Sequence, residues 1–553
     1  MKEFDAVSLG ILWDRLISIT DEIVSSLIRT SFSINVRESY DLSCVLFDAN
    51  GVPIAQGSYS VPSFTGTAAP TLRHMLRKYP PATLRPGDIV ATNDPWMGTG
   101  HLYDINVMRP VFRKDKLVGY TLSITHLPDI GGVGVSAGPT QIYEEGLRLP
   151  VCKLMRAGVL DTELMELIRT NVRVNEQVIG DIMANISCNE VGGRLLLEFM
   201  DEYGLDDLVP LSTAILAQSE RTMRERIRTI PDGIYKNRID IEGVNEAIPL
   251  ACTITKKDDS VVVDFAGTGD SVRAAINVPF CYTRAWAAYS IKCLTTPGTP
   301  NNEGSVRPIN VTAPEGCILN TQVPFPTAGR HAVGHFIVPL MMGAMQDAVP
   351  DRVQADVGMM NIFNVQGTNR DGRGIASLFF LAGGFGALAG MDGAPTTPAP
   401  SNMGVVPTEM WENITSMTVE RRELLPDSGG PGAARGGVGQ EVVLVNDTGN
   451  LLTVAFMGQR TQFPAKGFQG GKAGRLRGYQ INGKPVNPKG RFVLNPGDVI
   501  SLFEAGGGGF GDPARRPPEL VLADVRSGLV TAEGALRDYG VRVDLKRGTA
   551  VRA

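Results

Sequence analysis

Apolar residues near the start of the chain recur every three or four positions, beginning at Leu9, Leu12 and Leu16 and ending at Leu27. This spacing puts the apolar side chains on one face of a helix, so it predicts a single amphipathic helix over residues 8–30. A helix with one apolar face packs against a protein core or against a partner.

The hydrophobic pattern then changes to short apolar runs separated by turn residues. The runs 42–47 and 51–55 flank the segment Asp48-Ala49-Asn50-Gly51. An Asn-Gly pair between two apolar runs predicts a β-hairpin. The same kind of run predicts further strands over 89–91, 105–112 and 117–124.

Helical and strand-like patterns alternate through the rest of the chain. Asp161 is a predicted N-cap for a helical pattern that continues to about Tyr203, and one further helix is predicted over 331–345. The uncharged segment 374–391 contains five glycines, so we predict a buried Gly-rich segment there rather than a membrane-spanning helix.

Together these patterns predict an α+β, multi-domain fold with mixed sheets, long helices and a β-rich, Gly-rich C-terminal half. Glycine accounts for 63 of 553 residues, which indicates an unusual number of tight turns. The predicted regions are an N-terminal α/β region with the metal-site loops (1–160), a helical segment (161–230), a mixed β/α region (231–425), a Gly-rich β region (426–515) and a small helical tail (516–553).

The composition narrows the class of protein. There are 53 Lys and Arg against 58 Asp and Glu, a net charge of -5, which excludes the basic footprint of a nucleic-acid-binding protein and favours a small or neutral ligand. The seven cysteines are odd in number and form no CxxC pair, so they indicate a reducing compartment rather than a disulfide framework. Because no signal-peptide pattern begins the chain, we expect a soluble, cytoplasmic protein without a membrane partner.

Histidine and aspartate are concentrated in two segments that contain Gly and Pro, 93–104 and 125–132. They include His101, Asp104 and His126. A site that combines imidazole nitrogens with carboxylate oxygens suits Zn, Mn, Fe or Co, because its ligands are neither all soft thiolates nor all hard oxygens. These segments are therefore predicted to form a divalent metal site.

The predicted strands bring these side chains together. His101 and Asp104 come just before the strand 105–112, and His126 follows the strand 117–124. If the two strands form a hairpin, their outer ends meet and the three side chains converge on one ion. Asp41 is predicted as a fourth ligand. The alternative is that these residues are ordinary loop caps, since Asp often hydrogen-bonds the backbone of its own turn.

Other motifs fail a structural requirement of the site they resemble. The GxGxxG string at 506–511 is followed by Asp-Pro rather than by a helix, and the Gly-rich loop 426–440 lacks a Gly-Lys-Ser/Thr ending, so no nucleotide site is predicted. The GxSxG string at 134–138 lies in a loop instead of between a strand and a helix. His331 and His335 share one helical face and are predicted as a packed or ligand-facing pair rather than as metal ligands.

At the level of whole motifs, the sequence resembles the hydantoinase B / 5-oxoprolinase family, which also includes subunits of acetone and acetophenone carboxylases. The matching segments follow one another over nearly the whole chain: 37–44, 93–104, 126–132, 144–146, 264–268, 426–430, 435–437 and 507–513.

The resemblance implies a subunit that works with a hydantoinase A-like ATPase of the actin-like fold class, so that ATP is bound by the partner subunit, in a heterotetramer of two copies of each chain. It carries the family's metal ligands onto His101, Asp104 and His126, with Asp41 as a further ligand. Where many members have Gly-Gly-Thr-His, this chain has Gly98-Thr99-Gly100-His101, which keeps the ligand but changes the loop before it.

The resemblance also implies a reaction: ATP-dependent opening of a cyclic amide such as a hydantoin, 5-oxoproline or a lactam. In this hypothesis the partner phosphorylates the amide oxygen or bicarbonate, and the activated species is resolved at a divalent metal (Zn, Mn or Fe) in this chain. Asp129 or Glu145 is predicted as the general base. The alternatives are a subunit of an ATP-dependent ketone carboxylase and a non-catalytic scaffold whose metal ligands are structural.

Overall fold

Long helices pack against the sheets in the computed structural model of the protein, which describes residues 4–553. The helices are α1 (Ala6–Thr30), α2 (Ile34–Arg37), α3 (Ala68–Lys78), α4 (Thr162–Asn171), α5 (Asn175–Glu202), α6 (Val209–Arg228), α7 (Phe280–Thr295), α8 (Glu303–Val306), α9 (His331–Gly334), α10 (Ile337–Met345), α11 (Thr408–Thr415), α12 (Pro518–Arg526) and α13 (Ala532–Tyr539).

The strands connect mostly as antiparallel hairpins. They are β1 (Leu42–Asp48), β2 (Pro53–Gln56), β3 (Ile89–Thr92), β4 (Asp104–Arg113), β5 (Lys116–His126), β6 (Cys152–Arg156), β7 (Val159–Leu160), β8 (Gly233–Glu242), β9 (Ala247–Lys257), β10 (Ser260–Asp264), β11 (Ile309–Thr312), β12 (Met360–Thr368), β13 (Gly374–Ala382), β14 (Thr418–Leu424), β15 (Gln440–Val445), β16 (Leu452–Phe456), β17 (Gly478–Ile481), β18 (Lys484–Pro485), β19 (Arg491–Leu494), β20 (Val499–Phe503), β21 (Val541–Asp544) and β22 (Thr549–Arg552).

The sheets within residues 4–553 confirm the predicted α+β, multi-domain class. An N-terminal sheet has the strand order β2-β1-β5-β4-β3-β6-β7, and a second sheet has the order β11-β10-β9-β8 with β10 and β11 parallel. The C-terminal half contributes the orders β13-β12-β16-β19 and β14-β15-β20-β17-β18, and β21 pairs with β22. The division into five regions stays a prediction.

Helix α1 confirms the amphipathic helix predicted from the first thirty residues. Asp5 caps its N-terminus by accepting hydrogen bonds from the N–H groups of Val7 and Ser8. Its buried face, which includes Leu12, Leu16 and Leu27, packs against α5 and the N-terminal sheet. The apolar face is therefore covered within the chain itself.

The two hairpins predicted near the N-terminus are also confirmed. Strands β1 and β2 pair antiparallel, and the Asp48 carboxylate accepts hydrogen bonds from the N–H groups of Asn50 and Val52 in the turn. Gly51 adopts a φ of 74°, a left-handed conformation that is unfavourable for residues with a Cβ atom. Strands β4 and β5 pair over their full length, and this second hairpin positions the site described below.

Two predicted elements differ from the structure. The helix predicted over 331–345 is divided into α9 and α10, because Pro339 has no N–H for the carbonyl of His335 and so sits in the first turn of a new helix. The predicted helical tail is incomplete: Gly540 ends α13 in the left-handed conformation, and the β21–β22 hairpin follows.

The segment 374–391 forms β13 and a loop, and within residues 4–553 the helices are all too short or too polar to cross a bilayer.

Four Gly-rich segments of the C-terminal half pack backbone against backbone: 383–393, 429–439, 467–474 and 506–511. The N–H of Gly437 donates to Phe385, and the N–H of Gly507 donates to Gly437. A Cβ atom on Gly506 would lie 1.7 Å from the carbonyl oxygen of Ser428, and one on Gly384 would lie 1.8 Å from that of Gly437. Glycine is thus required for close backbone approach, which accounts for the GxGxxG string without a nucleotide.

Candidate metal centre

Strand register gathers the predicted ligands at one end of the N-terminal sheet. Asp104 begins β4 and pairs directly with His126, the last residue of β5. His101 lies in the turn that leads into β4. Asp41 immediately precedes β1, whose pairing with β5 brings the Asp41 carbonyl oxygen within 3.2 Å of the His126 N–H nitrogen. The hairpin and its neighbouring strand therefore bring all four residues together.

The distances between the side-chain atoms fit a shared ion. His101 Nε2 lies 2.8 Å from Asp104 Oδ1, and His126 Nδ1 lies 3.4 Å from the same oxygen. Asp41 Oδ2 is 3.6 Å from His126 Nδ1. Two ligand atoms bound to one ion at about 2.1 Å lie about 3 to 3.5 Å apart. These distances match that range closely, so the side chains need to move little to bind one ion. All four residues are also buried.

Hydrogen bonding fixes the tautomer of His101. Its Nδ1 lies 3.0 Å from the carbonyl oxygen of Ala328, which can only accept, so Nδ1 carries the proton. Burial and the charge of Arg330 lower the pKa of His101 to about 4, and the ring is neutral at pH 7. Nε2 then presents a lone pair to the Asp104 carboxylate. Two acceptors facing each other repel unless a cation lies between them, so this donor set fits a bound metal ion.

Arg330 holds the opposite oxygen of the Asp104 carboxylate. Its guanidinium donates to Asp104 Oδ2 at 2.6 Å and to the Thr99 carbonyl oxygen at 2.9 Å. The Thr99 hydroxyl donates to the same Oδ2 at 2.7 Å. The guanidinium also lies over the Tyr282 ring, 4.3 Å from its centroid. Oδ2 is thus saturated, and Oδ1 is left to face a cation.

The carboxylates differ in how readily they ionise. Burial alone would raise the pKa of Asp104, but its contacts with His101 and Arg330 outweigh burial and hold that pKa well below its usual value. Burial raises the pKa of Asp41 to about 6, although the neighbouring His126 acts in the opposite direction. Because metal ligands must be deprotonated, the full set of four is available above about pH 6.

Comparison with known proteins identifies the family to which this site belongs. The sequence model described as Hydantoinase B/oxoprolinase matches residues 5–513. The chain belongs to the hydantoinase B/oxoprolinase family. The resemblance predicted from the sequence motifs is therefore confirmed.

The relatives of this hydantoinase B/oxoprolinase chain match it over nearly its full length. It is 30% identical to the beta subunit of the caprolactamase of Pseudomonas jessenii, over 98% of this chain and 97% of the relative. It is 28% identical to the B subunit of a putative D-/L-hydantoinase of a Pseudomonas species, over 98% and 96% of the two chains. Both relatives are named as subunits.

Solved structures share the fold. The crystal structure of the ATP-dependent caprolactamase from Pseudomonas jessenii superposes with a TM-score of 0.91 at 27% identity and covers 99% of this chain and 98% of that one. A nucleotide-free acetone carboxylase superposes with a TM-score of 0.88 at 19% identity, over 98% and 81% of the two chains. The second likeness concerns the fold alone.

The predicted general bases of this hydantoinase B/oxoprolinase chain are held by hydrogen bonds. Asp129 accepts from the N–H of Gly131 and from the backbone and guanidinium of Arg173. Glu145 accepts from the N–H groups of Thr327 and Ala328, at 2.6 and 2.7 Å. The Ala328 carbonyl also accepts a hydrogen bond from the His101 ring. Glu145 therefore fixes the backbone segment that orients His101, one of the predicted metal ligands. The general-base role of the two carboxylates stays a prediction.

Burial raises the pKa of Glu145 to about 8, against the hydrogen bonds from Ala328 and Thr327. The side chain is therefore mostly protonated at pH 7, where it is better suited to donate a proton than to accept one. Neither Asp129 nor Glu145 is among the described residues that line the small cavity at the metal centre.

That cavity, of about 30 Å³, contains groups that the sequence did not assign to the site. Its lining includes Tyr282, Arg330, His331 and His335 beside three of the predicted ligands, Asp41, His101 and His126. Burial lowers the pKa of both added histidines, that of His335 to about 3, so both rings are neutral. Of these four added residues, the sequence pointed only to His331 and His335, whose spacing indicated a packed or ligand-facing pair. Nothing in the sequence pattern pointed to Arg330.

We expect Arg330→Lys to weaken binding of Zn²⁺ or Mn²⁺ by about 10- to 100-fold, because lysine keeps the charge but lacks the planar fork that holds Asp104 and Thr99 together. Equilibrium dialysis with metal analysis measures the effect. Arg421→Lys, at an exposed ion pair with Glu441, is the matched control and should bind metal like the wild type. Unchanged affinity in Arg330→Lys would contradict a positioning role for Arg330.

Proposed function

We propose that this chain is the metal-binding subunit of an ATP-dependent cyclic amidohydrolase that opens a hydantoin, 5-oxoproline or lactam ring. The observation that carries the proposal is the buried cluster of His101, Asp104 and His126, whose ligand atoms lie within 4.8 Å of one another. It occurs in a chain that is 30% identical, over nearly its whole length, to a caprolactamase subunit.

ATP is needed because an amide is a poor electrophile. Resonance weakens the carbonyl carbon as a target and leaves the nitrogen a poor leaving group. In our proposal a hydantoinase A-like partner transfers the terminal phosphoryl group of ATP to the amide oxygen and releases ADP. Water then attacks the activated carbon in this chain, and the ring C–N bond breaks as the nitrogen takes up a proton, which leaves an acyl phosphate. A second water molecule hydrolyses the acyl phosphate to a carboxylate and free phosphate.

The residues of this chain would bind and orient the reacting groups. His101, Asp104 and His126 would hold a Zn, Mn or Fe ion, with Asp41 as a further ligand. Such an ion supplies Lewis acidity, which polarises a carbonyl oxygen and lowers the pKa of a water molecule. Arg330 keeps Asp104 ionised and oriented by its 2.6 Å hydrogen bond.

His331 is available to contact the substrate. It lines the cavity, and its Nε2 is buried with no hydrogen-bond partner among residues 4–553. A buried polar atom without a partner costs free energy, which a substrate amide or its activated form would offset by hydrogen bonding. The neutral ring can donate or accept one hydrogen bond.

The proposed complex contains an ATPase partner, in a heterotetramer of two copies of each chain. One observation supports a partner: the relatives are named as subunits. The Gly-rich strings of this chain serve backbone packing, so the proposal places the ATP site on the partner. The heterotetramer rests on family analogy.

The test is a substrate screen with the chain co-expressed with its ATPase partner. Hydantoin, 5-oxoproline, ε-caprolactam and acetone are each supplied with ATP and ¹⁴C-bicarbonate, and ADP release above the substrate-free background is measured with the products. We expect a ring-opened amide product that contains no label. Label in a stable carbon–carbon linkage would instead establish a ketone carboxylase and overturn the proposal.

A further inference from the structure

A second, much larger cavity of about 470 Å³ lies beside the metal centre. Its volume is in the range of small-molecule binding pockets. Apolar side chains form most of its wall, among them Tyr289, Val338, Met342, Phe385 and Leu388.

The two cavities share the same structural elements. Helix α7 contributes Tyr282 to the small cavity and Tyr289 to the large one, seven residues or about 10 Å further along at about 1.5 Å per residue. His335 precedes α10 and lines the small cavity, whereas Val338 and Met342 of α10 line the large one. The large cavity therefore neighbours the small cavity at the metal centre, along the same two helical segments.

Two loop segments run between the cavities. Residues 61 and 63 line the small cavity and residue 62 lines the large one; residues 401 and 403 line the small cavity and residues 398–400 and 402 line the large one. Neighbouring residues of one loop thus face both spaces. A molecule in the large cavity would lie against the same loops that border the metal centre.

Charge is nearly absent from the lining. Among the described residues that line the large cavity, Arg352 is the only one with an ionised side chain. Its guanidinium donates to the Thr229 hydroxyl and the Leu294 carbonyl, and the residue is exposed, so it lies at the rim. Two cations outside the lining are already paired: Arg330 with Asp104, and Arg460, which donates to the Val357 carbonyl, with Asp356. A carboxylate in the interior of this cavity, away from the rim, would be buried without an opposite charge, which is strongly unfavourable.

One polar group inside the cavity suits a neutral amide. Gln354 lines the wall, and its side-chain nitrogen is buried with no hydrogen-bond partner among residues 4–553. An amide N–H of this kind donates to a carbonyl oxygen. The wall therefore combines an apolar surface with a free hydrogen-bond donor.

We propose that this cavity is the substrate pocket and that it selects an uncharged cyclic amide with a hydrocarbon ring or substituent over one that carries a carboxylate. This inference rests on the proposed function and narrows it: a lactam or an apolar hydantoin fits the pocket, and 5-oxoproline does not.

The assembled, metal-loaded complex tests the proposal. We expect kcat/KM for ε-caprolactam to exceed that for 5-oxoproline by at least about 100-fold, because Arg352, the one cation in the described lining, lies at the exposed rim and leaves a carboxylate deeper in the pocket unpaired. Val338→Phe fills the pocket and should lower kcat/KM for ε-caprolactam by about 10-fold or more. Met342→Ala enlarges it and should shift the preference towards larger lactam rings. Both variants should retain the wild-type metal content.

Val493→Phe, at an exposed position of β19, is the matched control and should behave like the wild type. Calorimetric binding of ε-caprolactam and 5-oxoproline gives a readout without turnover. Loss of ε-caprolactam binding in Val338→Phe supports the pocket even if no ring is opened, in which case only the proposed reaction fails. Preference for 5-oxoproline, or unchanged binding in a folded Val338→Phe, overturns the pocket and leaves the reaction standing.

Discussion

We expect His101→Ala and His126→Ala each to abolish metal binding and to lower ATP-dependent ring opening by about 1000-fold or more in the assembled complex. Each change removes one of the three side chains that converge within 4.8 Å, and a metal ion that polarises a carbonyl supplies several kcal/mol of transition-state stabilisation. Metal content after gel filtration and the rate of product formation are the measurements.

His74→Ala provides the matched control, because His74 lies on α3 and does not line the metal centre. It should retain both metal and activity. Circular dichroism and gel filtration with the partner establish that each variant is folded and assembled. Full turnover in a variant that has lost its metal would defeat the proposed role of the site.

The second large effect concerns the glycines of the C-terminal half. We expect Gly506→Ala to destabilise the protein by more than about 3 kcal/mol, since its Cβ would lie 1.7 Å from the Ser428 carbonyl oxygen and backbone must move to accept it. A lower midpoint of chemical unfolding, or insoluble expression, is the expected observation.

Gly10→Ala is the opposite case. Gly10 lies within α1 with open space around its Cβ position, so alanine should stabilise the helix by up to about 1 kcal/mol. Comparison of Gly506→Ala with Gly10→Ala separates the effect of close backbone packing from the general effect of replacing a glycine by alanine. Equal stability of Gly506→Ala and the wild type would show that the Gly-rich segments pack more loosely than described.

The packing of these glycines also affects the proposed pocket. The N–H of Gly508 donates to the carbonyl of Asp356, and the flanking residues Ala355 and Val357 line the large cavity. The Gly-rich segments thus support the wall of the pocket from behind. A partly folded Gly506→Ala variant is therefore expected to lose substrate binding before it loses the metal ligands, which belong to the N-terminal sheet.

Local patterns predicted the elements that need only short-range information. Helix α1 followed from its three- and four-residue apolar spacing, and the β1–β2 hairpin from Asn50-Gly51. The convergence of His101, Asp104 and His126 was predictable because these residues flank a single hairpin, whose register pairs Asp104 with His126. The break between α9 and α10 was missed because the apolar periodicity continues through it while Pro339 removes one backbone donor.

The sequence by itself indicated the family, the α+β class and the two histidines and one aspartate predicted as ligands, because these depend on residue type, order and spacing along the chain. Only the tertiary structure decided how the ligands are oriented. Arg330 and Ala328 contact Asp104 and His101 across 226 and 227 residues of sequence. The larger cavity likewise joins loops and helices that are distant in the chain, and no local pattern encodes such contacts because they exist only once the separate sheets have packed together.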